Sequence, residues 1–227
     1  MDLARSYDGA MGFPHWFMAH EQTDARGRQG RHWQSPVGNL ATTVALAPNC
    51  PPAQAANYSF VTALAVGDTL AAYVPTAMIG QKWPNDVLIQ GCKCCGILLE
   101  SASSGPMVDR LHIGIGINLA GVPQGVTGAI TNPIGLGDLV DTPPSPQAVL
   151  DKLGHHFETR VTQFCNAGFA SIRDDWLAQV IKLGEQITAR LPNEQITGIF
   201  ETIDLNGNLV LQTQAGPRNI AAADVYF

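Results

Sequence analysis

Residues 79–100 read IGQKWPNDVLIQGCKCCGILLE. The stretch predicts a strand closing at Lys82, a Pro84-Asn85 turn, and then a hairpin. In that hairpin Val87-Leu88-Ile89 runs into the turn Gln90-Gly91, and Gly96-Ile97-Leu98-Leu99 returns. A sheet is seeded here. Downstream, residues 111–119 (LHIGIGINL) read as another apolar strand, and its two glycines suggest close approach of a backbone or a ligand. Upstream, residues 15–20 (HWFMAH) have the composition of a buried strand, and residues 39–47 (NLATTVALA) return to strand-like composition. Between strands, residues 53–73 are expected to form one helix with Phe60, Leu64, Gly67 and Ala71 on a single face.

Beyond the glycine strand the texture changes twice. Residues 122–145 are rich in Gly and Pro and read as a surface connection. Ser145-Pro146 then carries the cap and first-turn chemistry of a helix start, with helices expected over 147–164 and 169–180. After Gly184, short alternating stretches over 195–203, 208–213 and 218–221 are punctuated by Asn206-Gly207 and Ala215-Gly216-Pro217, the pattern of a small all-β barrel. The boundary is set near Leu183, giving a domain over 1–183 and a second over 184–227. The expected class is α+β: a sheet with helices, followed by a β-barrel.

Composition narrows the function classes. A chain of 227 residues with 45% apolar and 14% charged residues is neither disordered nor a coiled coil. A net charge of −6 disfavours a general nucleic-acid or membrane-surface binder, so an anionic ligand must meet a local cluster of cations. The opening residues MDLARSYDGAMGF are interrupted by Asp2, Arg5 and Asp8 and show no secretory leader. The five cysteines lack a framework spacing and read as reduced cytosolic thiols.

Four short segments carry chemistry. Arg26-Gly27-Arg28-Gln29-Gly30-Arg31 concentrates guanidinium forks suited to carboxylate and phosphate oxygens, with glycines that let backbone N–H groups turn toward a ligand. Taken alone it reads equally as a solvated basic loop or an RNA-contacting segment. Lys82-Trp83-Pro84-Asn85-Asp86 gathers two ionisable groups, an amide and an indole at a strand end; the alternative is an ordinary turn with Trp83 in the core. Lys93, entering an apolar strand, either snorkels to water or turns into a pocket to meet an anion. Gly114-Ile115-Gly116-Ile117-Asn118 lacks the third glycine and the strand–turn–helix setting of a dinucleotide fingerprint. Cys92, Cys94 and Cys95 have no second Cys or His pair at zinc spacing, so no metal site is expected.

In this order, ARGRQGRHW, KWPNDVLI, K-x-x-GILLE and GIGINL resemble the catalytic domain of bacterial biotin–protein ligases. The terminal β segment is similar to that family's SH3-like domain. The resemblance spans essentially the whole chain and implies a class II synthetase-like catalytic domain that adenylates biotin with ATP and Mg²⁺. It implies transfer of biotin to a lysine of a biotin carboxyl carrier protein, in the cytoplasm, by a monomer or homodimer. By motif, Arg28 and Lys93 are the expected catalytic residues. Gln22, Arg26, Arg28, Lys93 and Gly96 are expected at biotin, with Arg31 supporting the loop. Trp33, Lys82, Asn85, Asp86 and Asn118 are expected at the nucleotide.

The chain departs from the family pattern twice. No Ser-Thr-Asn run precedes Gln22, which removes one expected wall of the biotin pocket, and Ala25 replaces the loop's first glycine. The DNA-binding domain of some relatives is not expected, nor is nucleic-acid or membrane binding. Two other readings compete: a lipoate–protein ligase, and a truncated non-catalytic form of the ligase fold.

Overall fold

The computed structural model describes residues 1–7, 14–22, 25–27, 30, 33–122 and 131–227. Its elements run α1 (Asp2–Ser6), β1 (His15–Ala19), β2 (Leu40–Leu46), α2 (Pro52–Ala56), α3 (Tyr58–Leu70), β3 (Ile79–Lys82), β4 (Asp86–Ile89), β5 (Cys92–Ala102) and β6 (Arg110–Ile117). They continue with α4 (Pro146–Leu177), β7 (Gln186–Arg190), β8 (Gln195–Ile203), β9 (Leu209–Thr213), β10 (Gly216–Ile220) and β11 (Asp224–Tyr226).

The hairpin that seeds the sheet forms as its residues dictate. Gln90 and Gly91 adopt φ of 52° and 76°, the left-handed turn that lets β4 reverse directly into β5. The resulting six-stranded sheet has the order β1-β2-β6-β5-β4-β3, and its ladders are antiparallel. Side chains alternate between faces along each strand. Ile113, Ile115 and Ile117 of β6, with Leu40 and Val44 of β2, enter the buried core with α3 and α4. Residues paired with the glycines between those isoleucines lie on the opposite face. At the sheet edge β1 is half-buried throughout rather than buried, because only its Trp16 side reaches the helices, meeting Phe157 edge-on at 5.4 Å.

Two helix expectations are revised. The helix expected over 53–73 divides at Asn57 into α2 and α3, and α3 is buried on nearly all sides rather than on one face. The two helices expected over 147–180 are one element, α4, bent at Gly168 where φ is 73° and ψ −178°, a conformation glycine reaches without a Cβ penalty. Its start is as the sequence predicts: the Ser145 hydroxyl accepts from Ala148 N at 3.3 Å. The bend lets Phe164 pack on Tyr58, while Phe169 and Trp176 both meet Phe60.

The C-terminal strands form a five-stranded antiparallel sheet ordered β10-β9-β8-β7-β11. Its edge strands β10 and β11 share no ladder, so the small β-barrel expected here is left open between those two strands. The segment leading into this sheet and one of its turns are both fastened to the first sheet. Gln81 N donates to Gln179 O at 2.9 Å and Ile181 N to Gln81 O at 3.0 Å, while the Trp83 indole donates to Gly207 O at 3.0 Å. Arg173 adds bonds from α4 to Ile203 O and the Thr202 hydroxyl. No described helix is long and apolar enough to cross a membrane.

Candidate functional site

The site grows from one row of the sheet. Gly96 of β5 pairs with Gly116 of β6, which in turn pairs with Ala41 of β2. The register places these three small residues side by side on the face opposite the isoleucine core, making a flat floor. Trp33 lies on that floor. A Cβ at Gly116 would stand 2.7 Å from the Trp33 indole nitrogen, and one at Gly96 3.2 Å from its Cζ3. Both positions therefore need glycine for the ring to lie flat. In the next row, a Cβ at Gly114 would be 2.8 Å from the Met1 methyl, so the residue that caps α1 covers this part of the face.

Charge gathers at one end of the floor. Lys93 Nζ lies 2.6 Å from Asp86 Oδ1, and 5.5 Å from the centre of the Trp33 ring. Among the described residues that carboxylate oxygen has Lys93 as its charge partner and no hydrogen-bond donor. Lys93 thus turns inward rather than out to water. Lys82 is 4% exposed; its Nζ donates to the Thr131 hydroxyl at 2.6 Å and lies 4.7 Å from the Phe227 ring centre. Burial lowers its pKa to about 8, with Lys93 adding to the fall while Asp86 and Asp224 oppose it. Two lysines and one carboxylate within a half-buried corner form a seat for anionic oxygens.

The surrounding amides hold this corner rather than face it. Asn118 is buried, and its Nδ2 donates to Lys93 O at 3.4 Å and Ile134 O at 3.2 Å. It frames the site by tying β6 to the segment beside Lys93. Asn85 donates through Nδ2 to Ile97 O, fixing the turn against β5. Asn39 Oδ1 accepts from the main-chain N–H groups of Leu119 at 2.9 Å, Ala120 at 3.0 Å and Gly121 at 3.4 Å. The segment expected as a surface connection is partly inside: Lys93 N bonds Asn132 O at 2.7 Å, Ile134 N bonds Lys93 O at 3.0 Å, and Leu136 is buried. A chain lying beside β5 in this way cannot run over the surface.

The other expected residues are spread around the corner. Gln22 is half-buried beyond the end of β1, and Arg26 is exposed. Ala25 is buried at the base of the arginine loop, where Trp33 N bonds its carbonyl at 3.1 Å. Arg28 and Arg31 lie outside the described residues. Cys94 and Cys95 are buried; burial pushes the Cys94 thiol up to about 12 and Cys95 well above its ordinary value. Neither is a nucleophile. Among the described residues no group of three or more His, Cys, Asp or Glu could hold a metal. Thr131, Phe227 and Asn39 escaped the sequence reading. Only Asn39 carried a local signal, an amide heading a strand of mostly apolar residues.

Similarity to known proteins runs along most of the chain. Residues 14–118 match the Biotin/lipoate A/B protein ligase family, and residues 182–227 match the Biotin protein ligase C terminal domain. A biotin–[acetyl-CoA-carboxylase] ligase of Paracoccus denitrificans is 45% identical over 215 residues, covering 93% of this chain and 90% of the relative. One of Mycobacterium tuberculosis is 33% identical over 228 residues, covering 98% and 82%. The biotin protein ligase of Aquifex aeolicus, solved with biotin and ATP, superposes with a TM-score of 0.81 at 25% identity, covering 99% of this chain and 93% of that one.

Proposed function

Because the chain belongs to the biotin protein ligase family, we propose that it forms biotinyl-5′-AMP from biotin and ATP and transfers biotin to a lysine of a biotin carboxyl carrier domain. The observation that carries this reading is the convergence of Lys82, Lys93 and Asp86 at the end of the Gly96–Gly116 floor. Once the Trp33 ring swings off this floor to lie over the ligand, an apolar ring and chain can take its place while the carboxylate and phosphates reach the cations.

In the first step a biotin carboxylate oxygen attacks the α-phosphorus of ATP and the bond to pyrophosphate breaks. Two anions must meet, so positioning and charge neutralisation are the chief demands. We assign Lys93 to the carboxylate and the transferring phosphoryl group, and Lys82 to the nucleotide phosphates. Arg28, from its motif, would hold the oxygens of the adenylate, with Gln22 and Arg26 at biotin and Trp33 covering the adenylate against water. Asn85 and Asn118 frame the corner through the main chain. Mg²⁺, when bound, would shield phosphate charge; with no cluster among the described residues to cage it, it would come in on phosphate oxygens and water. In the second step the neutral carrier amine attacks the acyl carbon and AMP leaves. We assign Asp86 the orienting of that amine. We further divide the chain at Leu183 and place the reaction in the cytoplasm, without nucleic acid.

Transfer of labelled biotin to a purified carrier domain with Mg-ATP tests the reading. Biotin-dependent labelling that excess lipoate does not suppress is expected. No labelling of a competent acceptor, or labelling by lipoate instead, overturns it.

A further inference from the structure

Three consecutive residues at the end of β3 are each held by the C-terminal part of the chain. Gln81 exchanges main-chain bonds with Gln179 and Ile181, and Trp83 donates its indole N–H to Gly207 O. Between them, Lys82 aims its ammonium at the Phe227 ring. Phe227 follows β11, whose pairing with β7 (Asp224 with Arg190, Val225 with Ala189, Tyr226 with Thr188) fixes where the chain emerges. Tyr226 is held in turn by Arg190, 4.7 Å over its ring. Phe227 itself is 53% exposed, so one side of the ring faces water and the other faces Lys82.

A lysine ammonium on four flexible carbons has no preferred direction of its own. Here it has two fixed neighbours. Thr131 accepts one of its three protons at 2.6 Å, and the ring occupies the side toward the C-terminal sheet. An ammonium over an aromatic face is attracted to it, and more so where water is excluded. Asp86 and Lys93 act on the same ammonium from the corner beside it.

We propose that Phe227 is a positioning residue for adenylate formation: its ring holds the Lys82 ammonium, with Thr131, in the orientation that meets the nucleotide phosphates. The proposal rests on the adenylating reading above. It gives the C-terminal sheet a part in the first step through a single side chain. Among the described residues, the charged groups acting on Lys82 are Asp86 from β4, Lys93 from β5 and Asp224 from β11.

The 227-residue chain and its Phe227→Ala and Phe227→Tyr variants are compared in two measurements. The first is biotin-dependent pyrophosphate release across pH 6.5 to 9.5, resolved into kcat and KM for ATP. Phe227→Ala is expected to lower kcat/KM for ATP about tenfold, as loss of a partly desolvated cation–π contact implies. It should also move the alkaline limb downward, because the ring's attraction favours the protonated ammonium. Phe227→Tyr should restore both, which a merely structural loss would not predict. The second is competitive acetylation of lysines followed by mass spectrometry, which reads the titration of Lys82 without any activity. Lys82 should titrate below the ordinary lysine range in the wild type and lower still in Phe227→Ala. If biotin is not adenylated but the acetylation profile shifts as stated, the functional reading fails and the Phe227–Lys82 coupling stands. Unchanged profiles in both measurements overturn the proposal.

Discussion

Gly116 and Trp33 meet so closely that a single methyl group cannot be added between them: a Cβ at 116 would stand 2.7 Å from the indole nitrogen. The indole therefore reports on the floor. Gly116→Ala is expected to lift Trp33 from the sheet and lower kcat/KM for ATP by about tenfold or more, since misplacement of a positioning group is costly. Stability should change by no more than about 1 kcal/mol, because the displaced ring is not in the sealed core. Indole fluorescence, referenced to Trp33→Phe, and urea unfolding check the two halves of this expectation.

Asp86 anchors Lys93 at 2.6 Å. In Asp86→Asn that charge contact is lost while the shape is kept. Adenylate formation should slow about tenfold, and Lys93→Met should slow it about a hundredfold or more, in line with removal of one preorganised charge from a transition state. Single-turnover assays separate this from transfer. An unchanged transfer rate in Asp86→Asn would remove the proposed role of Asp86 toward the carrier amine.

Lys82 makes stability depend on pH. Its pKa is lowered to about 8 in the folded chain, chiefly by burial, against roughly 10.4 when unfolded. Below pH 8 both states carry the proton and the whole penalty of a buried charge is felt, on the order of 3 kcal/mol. Between pH 8 and 10.4 the unfolded state binds the proton and the folded state does not, so stability rises with pH through that window. Lys82→Met should accordingly stabilise the chain at pH 7, and its advantage should shrink as pH rises to 10. Urea titrations at both values measure the difference.

Asn39 satisfies three successive N–H groups with one oxygen. Asn39→Ala leaves the buried Leu119 N–H without its acceptor, while those of Ala120 and Gly121 can turn to water, and should cost about 1–3 kcal/mol. Asn39→Asp keeps the acceptor and should lose less. Chemical denaturation at neutral pH ranks the two variants.

What could be read beforehand follows the range of the forces involved. The β4–β5 hairpin and the glycine strand were legible because Gln90-Gly91, the alternation and the paired glycines are local signals. So was the start of α4 at Ser145. The break at Asn57 and the single bent α4 were not, since both depend on how Phe60, Phe164 and Phe169 share one core. In the site, Lys82, Lys93 and Asp86 stood out as charged residues in apolar strands. Thr131 and Phe227 did not, because their contact with Lys82 joins segments far apart in the chain and leaves no mark on local composition.

The position of β2 has a consequence for how the chain is made. All of Leu40–Leu46 is buried, yet one of its two neighbours, β6, is translated only after α2, α3 and the whole β3–β5 hairpin. A nascent chain therefore carries an apolar strand with one open edge until Ile117 has left the ribosome, and such edges invite pairing with other chains. Chains arrested before residue 110 should be degraded by protease and captured by holdase chaperones, whereas chains arrested well beyond Ile117 should resist both.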